Sequence, residues 1–335
     1  MFLSSWKKAH IIALKQVSTP SSPSDFRPIA LLCFLSKVLE KLAHDQIVDY
    51  LQKSKLLDPF QVGFRKHHFT QSALLKLTND ILMGMGKKQA TLLLQFDFRK
   101  AFDTISPSKL LVKLRDLSFS RSSLTWICSY LCGRTQCVFS KSRSSNYRET
   151  NLGVPQGSVL GPLLFCLYVN DLRTVLGNGP ILRLLYADDL QVYLTIPPEL
   201  LIEGITTITE TARTIANWAS RNFVTLNTTK TRAIIFGFSH TVRLFNKLNH
   251  PGISIADGEN IKFVNEIKSL GVILDNTLSW KPQINQVAKR VNCALFGLRF
   301  IKACTTQALR IRLVQSLKHL TWTTAVLFAK MLHLV

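Results

Sequence analysis

In LLYADDLQVYL (184–194) two adjacent carboxylates, Asp188 and Asp189, interrupt two apolar runs. Like charges side by side repel unless a cation lies between them. An Asp pair can also be ordinary turn chemistry, since the side chain bonds its own backbone and tolerates unusual φ. A third carboxylate weighs against the turn reading. Asp97 ends TLLLQFDF (91–98), the greasiest run in the chain, where an unpaired charge is costly. Packed beside the Asp188–Asp189 pair, it would complete the hard-oxygen site that Mg²⁺ favours. Two such ions about 3.5–4 Å apart can stabilise both the attacking and the leaving oxygen of an in-line phosphoryl displacement.

The elements that must position these groups follow from periodicity. Leu190, Val192 and Leu194 alternate with Gln191, Tyr193 and Thr195, the period of a half-buried strand. The aspartate pair therefore sits at the tip of a hairpin over 181–195. TLLLQFDF is apolar almost throughout, as suits a strand buried on both faces. Upstream, Leu35, Val38, Leu39, Leu42, Ile47, Tyr50 and Leu51 trace one face of a helix, and Ala73, Leu74, Leu77 and Ile81 trace another. Ser106-Pro107 opens a helix as N-cap and first helical residue. GVPQGSVLGPLLFCLYVNDL (153–172) reads as a Gly-rich turn and a buried helix. Ile202, Ile205, Ile208, Ala212, Ile215, Ala216 and Ala219 mark a long helix, followed by strands at 232–237 and 267–275 and a basic helical region from about 282. The Ser/Pro-rich stretch 18–29 reads as a loop. Strands mixed with long helices imply an α+β core.

Among 335 residues, 42 Lys and Arg face 20 acidic residues, a formal charge of +22. That excess is the footprint of a partner made of phosphates, although a basic membrane-surface protein shares it. At 47% hydrophobic residues the chain can bury a core and is not disordered by composition. The seven cysteines are scattered without a Cys-x-x-Cys pair, which points to free, mostly buried thiols in a reducing compartment. No apolar run reaches a membrane span and the start is a poor signal peptide, so an intracellular protein is expected.

QFDFRKAFD, GVPQGSVLGPLLFCLYVNDL and YADD, in this order, resemble the reverse transcriptase domain of non-LTR retrotransposons of the jockey-like kind. DFRPIALLCFLSKVLEKL and QVGFRKHHFTQSAL resemble its two finger motifs. WASRNFVTLNTTKT (218–231) resembles its later palm motif, and SLGVILDNTLSW (269–280) its primer grip. The likeness spans residues 6 to 300. It implies a right-hand polymerase fold: fingers over 1–90, palm catalytic strand and helix over 91–118, and an insertion over 119–152. The palm with nucleotide loop, YADD hairpin and primer grip follows over 153–280, and a partial thumb over 281–335.

The resemblance also implies roles. Asp97 and Asp188 would be the main ligands of two Mg²⁺ ions, with Mn²⁺ as a substitute, assisted by the Phe98 carbonyl and supported by Asp189. Phe102 would block a ribose 2′-OH, while Asp103 would serve the following turn. Gln156 would bond the nucleotide sugar, and Gly157 would let the backbone approach closely. Lys230 would protonate departing pyrophosphate. Arg27, Arg65 and Lys15 would meet the triphosphate or the template backbone, where an Arg fork suits phosphate oxygens. Leu270, Gly271 and Val272 would form the primer grip. The partners implied are an RNA template, a DNA primer and a dNTP, with no membrane and no obligate protein partner. Copying at a chromosomal nick, the habit of the family, implies action in the nucleus.

Elements of this kind encode an endonuclease upstream, which these residues do not include. The expectation is a truncated copy with an incomplete thumb. The rival readings are a catalytically inactive nucleic-acid-binding relic and a template-free nucleotidyltransferase; the finger and primer-grip motifs argue against the latter.

Overall fold

The computed structural model describes residues 1–63, 65, 68–140, 143–177, 179–248, 252–255 and 260–316, with Lys302 and Ala303 as backbone only. The end of the expected thumb, 317–335, lies outside the described residues. The chain begins with β1 (Lys8–Lys15), β2 (Phe26–Leu31), α1 (Phe34–Lys53) and α2 (Thr70–Gly86). Then come β3 (Ala90–Phe96), β4 (Phe98–Arg99), α3 (Pro107–Asp116), α4 (Arg121–Leu131), β5 (Arg134–Ser140), β6 (Arg143–Ser144) and β7 (Arg148–Thr150). Next are α5 (Gly161–Tyr168), α6 (Leu172–Leu176), β8 (Leu182–Tyr186), β9 (Asp189–Ile196), α7 (Leu201–Arg221), β10 (Thr225–Leu226) and β11 (Arg232–Phe236). Last come α8 (Ser239–Lys247), β12 (Ile253–Ser254), β13 (Asn260–Ile261), β14 (Glu266–Ser269), β15 (Val272–Asp275) and α9 (Lys281–Phe300).

The central sheet runs β11-β3-β9-β8, each pair antiparallel. Its strands are apolar on both faces because helices cover both. Leu92, Leu94 and Phe96 pack in one cluster with Ile205, Ile208, Ala212 and Ile215 of α7. Leu93 and Tyr193, on the opposite face, cluster with Ala73, Leu74, Leu77 and Ile81 of α2. Helices α2 and α7 thus bury the side chains their spacing selects, apart from Ile202, which is exposed in the first turn of α7, and Ala216, which is half-buried.

Four readings are corrected. The stretch 18–29 ends in a strand, not a loop: β2 begins at Phe26 and carries Pro28, which a strand at a sheet's edge tolerates. With β1, β5, β6 and β7 it forms a five-stranded sheet in the order β2-β1-β5-β6, β7 pairing with β5. The segment 267–275 is two strands, β14 and β15, because Leu270 and Gly271 both adopt positive φ and reverse the chain. Helix α1 is rotated from its expected face: Leu35, Val38 and Leu42 are exposed, whereas Glu40 is fully buried. Glu40 Oε2 accepts from the backbone N–H groups of Val159 (2.8 Å) and Leu160 (3.2 Å) and from the Tyr130 hydroxyl (3.3 Å). Those amides lie at the start of α5, where a carboxylate also suits the positive helix end. The seven cysteines are free, but only Cys137 and Cys166 are buried.

One ion pair anchors the segment before α2. Arg183 of β8 donates from Nε to Asp58 Oδ2 at 2.8 Å, both side chains being over nine-tenths buried. Asp58 Oδ1 also accepts from the Phe60 N–H. From this anchor the backbone of 60–63 runs along β8: Leu185 N donates to Phe60 O, and Val62 N donates to Leu185 O. Removing one partner strands a buried charge. Asp58→Ala is expected to lower the unfolding free energy by about 3–5 kcal/mol in urea titrations. Lys41→Ala, which breaks an exposed helical pair with Asp45, should leave the midpoint unmoved.

Candidate active site

Phe96 of β3 faces Leu190 of β9, and Tyr186 faces Asp189 across the hairpin. One step beyond Phe96 the chain reaches Asp97, so this register sets Asp97 opposite Asp189. Asp188 is the second residue of the two-residue turn, after Ala187 at φ +57°. The structure therefore gathers Asp97, Asp188 and Asp189 at one end of the central sheet, whose inner strands β3 and β9 pack side by side. Burial pushes the Asp188 carboxyl up; its own backbone amide and the Arg27 charge oppose this, and Asp97 adds to it. The Asp189 carboxyl is pushed up to about 6, by burial first and then by the charges of Asp188 and Asp97. Three carboxylates thus share one half-dry site with too little positive charge beside them.

The turn is braced from below. Gly63 packs so closely on it that a Cβ there would lie 2.2 Å from Ala187 N. Only a residue without a side chain lets the 60–63 backbone approach. Asp97 is held from the side. Asn227 donates from Nδ2 to Asp97 Oδ2 (2.8 Å), and its backbone N–H donates to the Asp97 carbonyl (2.7 Å). Phe98 follows in β4, paired with Leu226 of β10.

Asp97, Asp189 and Lys230 line one cavity of about 300 Å³ with Arg232, Glu266 and Lys268. The β14–β15 hairpin closes it. Buried Gln191 donates to Ser269 Oγ at 2.7 Å, and Gln95 Nε2 reaches Lys268 O at 3.4 Å. These contacts dock the Leu270-Gly271 turn, with Val272 opening β15, against the face that carries Asp97 and Asp189.

A second cavity of about 470 Å³ lies between β1, β2 and the 152–156 loop, with Lys100, Asp103, Arg134, Gln136, Glu149 and Gln156 in its lining. Gln156 Nε2 donates to Asp103 Oδ1 at 2.8 Å, so Asp103 serves the loop as well as its own turn. Ala30 N donates to Gln156 O at 2.7 Å. Gly157 adopts φ +108°, and a Cβ there would lie 2.9 Å from Ala30 O. Phe102 packs its ring against Phe165, centroids 5.0 Å apart. Among the described basic residues, Arg27 is the one whose charge opposes the upward push on the Asp188 carboxyl. Arg65 Nη1 donates to the Asp58 and Gln61 carbonyls of its own loop, and Lys15 is exposed at the end of β1.

Sequence reasoning missed Asn227, Gln95, Gln191 and Glu40. Gln95 and Gln191 carried a readable signal, each being a polar residue in a buried strand two positions from an aspartate. Asn227 and Glu40 act across 130 and 119 residues of chain, which no local pattern reveals. Among the described residues, no three carboxylate, imidazole or thiol side chains already stand in metal-binding geometry. The donor set nonetheless fits a hard divalent cation: oxygen ligands only, and clustered negative charge that a cation would neutralise.

Comparison with known proteins agrees with this architecture. The profile of the family described as reverse transcriptase (RNA-dependent DNA polymerase) matches residues 12–274. The chain is 30% identical over 280 residues to the RNA-directed DNA polymerase from mobile element jockey of Drosophila funebris, covering 83% of this chain and 30% of that protein. It is 29% identical over 306 residues to a probable RNA-directed DNA polymerase from transposon BS of Drosophila melanogaster, covering 90% and 33%. The chain thus spans about a third of the length of the curated relatives it matches. In three dimensions it is similar to telomerase from Candida tropicalis in complex with a fragment of telomeric RNA, with TM-score 0.55 and 13% identity over 98% of this chain and 55% of that one. A telomerase from the same organism truncated from its C-terminal domain gives TM-score 0.53 at 13% identity, over 83% and 55%. These likenesses give the α+β right-hand polymerase fold, and with a family profile that covers most of its length the chain belongs to the reverse transcriptase (RNA-dependent DNA polymerase) family.

Proposed function

We propose that this chain catalyses RNA-directed DNA synthesis for a non-LTR retrotransposon. The observation that carries the reading is the convergence of Asp97, Asp188 and Asp189 through the β3–β9 register and the β8–β9 turn, with Lys230 lining the cavity of Asp97 and Asp189. The primer 3′-oxygen would bond to the α-phosphorus of a dNTP while the bond to pyrophosphate breaks. Asp97 and Asp188, with the Phe98 carbonyl and Asp189, would hold two Mg²⁺ (or Mn²⁺) ions, which supply charge neutralisation at both oxygens when bound. The remaining work of the chain is positioning.

Lys230 would donate a proton to departing pyrophosphate, a reading supported by its place in the lining of the cavity with Asp97 and Asp189. Arg27 and Lys15, from the β1–β2 hairpin, and Arg65 would meet the triphosphate or template backbone; Arg65 must first release its own-loop carbonyls. Phe102, backed by Phe165, would exclude a 2′-hydroxyl, and Gln156, aligned by Asp103, would bond the sugar. Gly157 would let the loop lie close to the nucleotide. Leu270, Gly271 and Val272 would hold the primer end against the carboxylates. In this reading residues 1–90 are fingers, 91–118 and 153–280 palm, 119–152 an insertion, and 281–335 part of a thumb. The RNA template and chromosomal primer would place the work in the nucleus. Among the described residues no helix is long and apolar enough to cross a membrane.

Incorporation of labelled dTTP on oligo(dT)-primed poly(rA) with Mg²⁺ tests the reading. Wild type is expected to incorporate, and both Asp188→Asn and chelation with EDTA should abolish it, a loss on the order of 10³-fold or more. A wild type that retains salt-sensitive RNA binding but incorporates nothing would mean a binding relic. Asn227→Ala should cost roughly 10–100-fold in activity and raise the Mg²⁺ concentration needed, because Asp97 loses its holder. Phe102→Val should admit ribonucleotides, cutting dNTP over rNTP selectivity by about 10–100-fold in single-turnover assays.

A further inference from the structure

The five-stranded sheet carries exposed aromatic side chains that the proposed chemistry does not use. On β1, His10 alternates with Ile12 and Leu14 on one face, and on β2 their partners are Leu31, Ile29 and Arg27. Arg27 lies on this face, and β2 is tied to the loop that carries Gln156 by the bond from Ala30 N to the Gln156 carbonyl; the Arg27 charge also weighs on Asp188. The opposite face, with Ala9, Ile11, Pro28 and Ala30, lines the 470 Å³ cavity instead. His10 pairs with Cys137 of β5, which puts Phe139 on the same face two residues on.

Here three rings gather. His10 stacks on Phe139, centroids 6.1 Å apart with planes 17° from parallel. His10 Nε2 shares a 2.8 Å hydrogen bond with the Tyr147 hydroxyl. Phe139 is 42% and Tyr147 46% exposed, an expense in water unless a flat apolar partner covers them. Lys8 Nζ lies 5.8 Å from the Tyr147 ring centroid. The five strands hold Lys8, Lys15, Arg27, Arg134, Arg143 and Arg148 against one acid, Glu149. The Tyr147 ring is tilted 41° from that of His10, centroids 6.2 Å apart; exposed rings grouped in a basic field are what unpaired bases stack on, and a duplex offers no free base faces.

We infer that His10, Phe139 and Tyr147 form a stacking platform for unpaired bases of an RNA strand on its way to the carboxylates, with Lys8 meeting its phosphates. The platform lies four residues along β1 from the level of Arg27, about 13 Å at the rise of a strand. The RNA identity of the strand rests on the polymerase reading; the stacking itself does not.

The test is fluorescence anisotropy with three labelled 12-mers, an RNA, the same RNA with abasic sugars and the matching DNA. Phe139→Ala/Tyr147→Ala is compared with wild type and with Val138→Ala, a neighbour on the other face. The double variant should bind the RNA at least about tenfold more weakly, while its affinity for the abasic strand, its thermal midpoint and the Val138→Ala control stay unchanged. Equal affinity of variant and wild type for the RNA, or an equal loss on the abasic strand, overturns the platform. A loss confined to DNA overturns its assignment to RNA. Asp188→Asn separates the two readings: it removes incorporation yet should keep the full RNA affinity. An intact incorporation activity with no platform effect sinks this inference alone.

Discussion

The pairing of β3 with β9 decides where this molecule concentrates negative charge. Asp97 and the Asp188–Asp189 pair lie about ninety positions apart in the sequence, and only the match of Phe96 with Leu190 brings them together. Because side chains alternate with period two, a slip of one residue would turn Asp97 toward the apolar layer of α7. The slip is prevented by burial on both faces: Leu92 and Leu94 fit one side, and Leu93 and Tyr193 the other. The core therefore exists to set a register, and the register sets the site.

Around that register the rest of the chain supplies backing. Gly63 sits under the hairpin turn, Asn227 fixes Asp97, and Gln191 ties down the β14–β15 hairpin. The buried Asp58–Arg183 pair holds the backbone that carries Gly63. Buried Glu40 organises the start of α5 behind the 153–157 loop. Gly63, Asn227 and Gln191 act on the strands and turn that carry the aspartates, whereas the Asp58–Arg183 pair and Glu40 hold the elements behind them. The site is held together by its surroundings more than by its own members.

Much of this was legible in the sequence. The doubly buried strand, the hairpin with its aspartates, and the helices α2, α3 and α7 follow from periodicity and capping, since each is specified by nearby residues. What was not legible depends on distant partners. The β1–β5 pairing is parallel and joins residues about 127 apart, and short strands such as β6 and β7 carry too few residues to show a period. Glu40 gives no local sign of burial, yet it is fully buried in α1, where its carboxylate accepts from two amides some 120 residues away. The split of 267–275 into a hairpin turned on positive φ at Leu270, a residue type that gives no warning of it.

The hydrogen bond from Ala30 to the Gln156 carbonyl has a consequence for solubility. β2 is the outermost strand of its sheet, and an open strand edge is a template for pairing with another molecule. The loop that carries Gln156 and Gly157 occupies part of that edge, and Pro28 removes a donor from it. The same few backbone atoms thus serve the site and guard the sheet. A chain whose loop loosened would uncover that edge and gain a tendency to self-associate, so the packing of this loop bears on whether the molecule stays single.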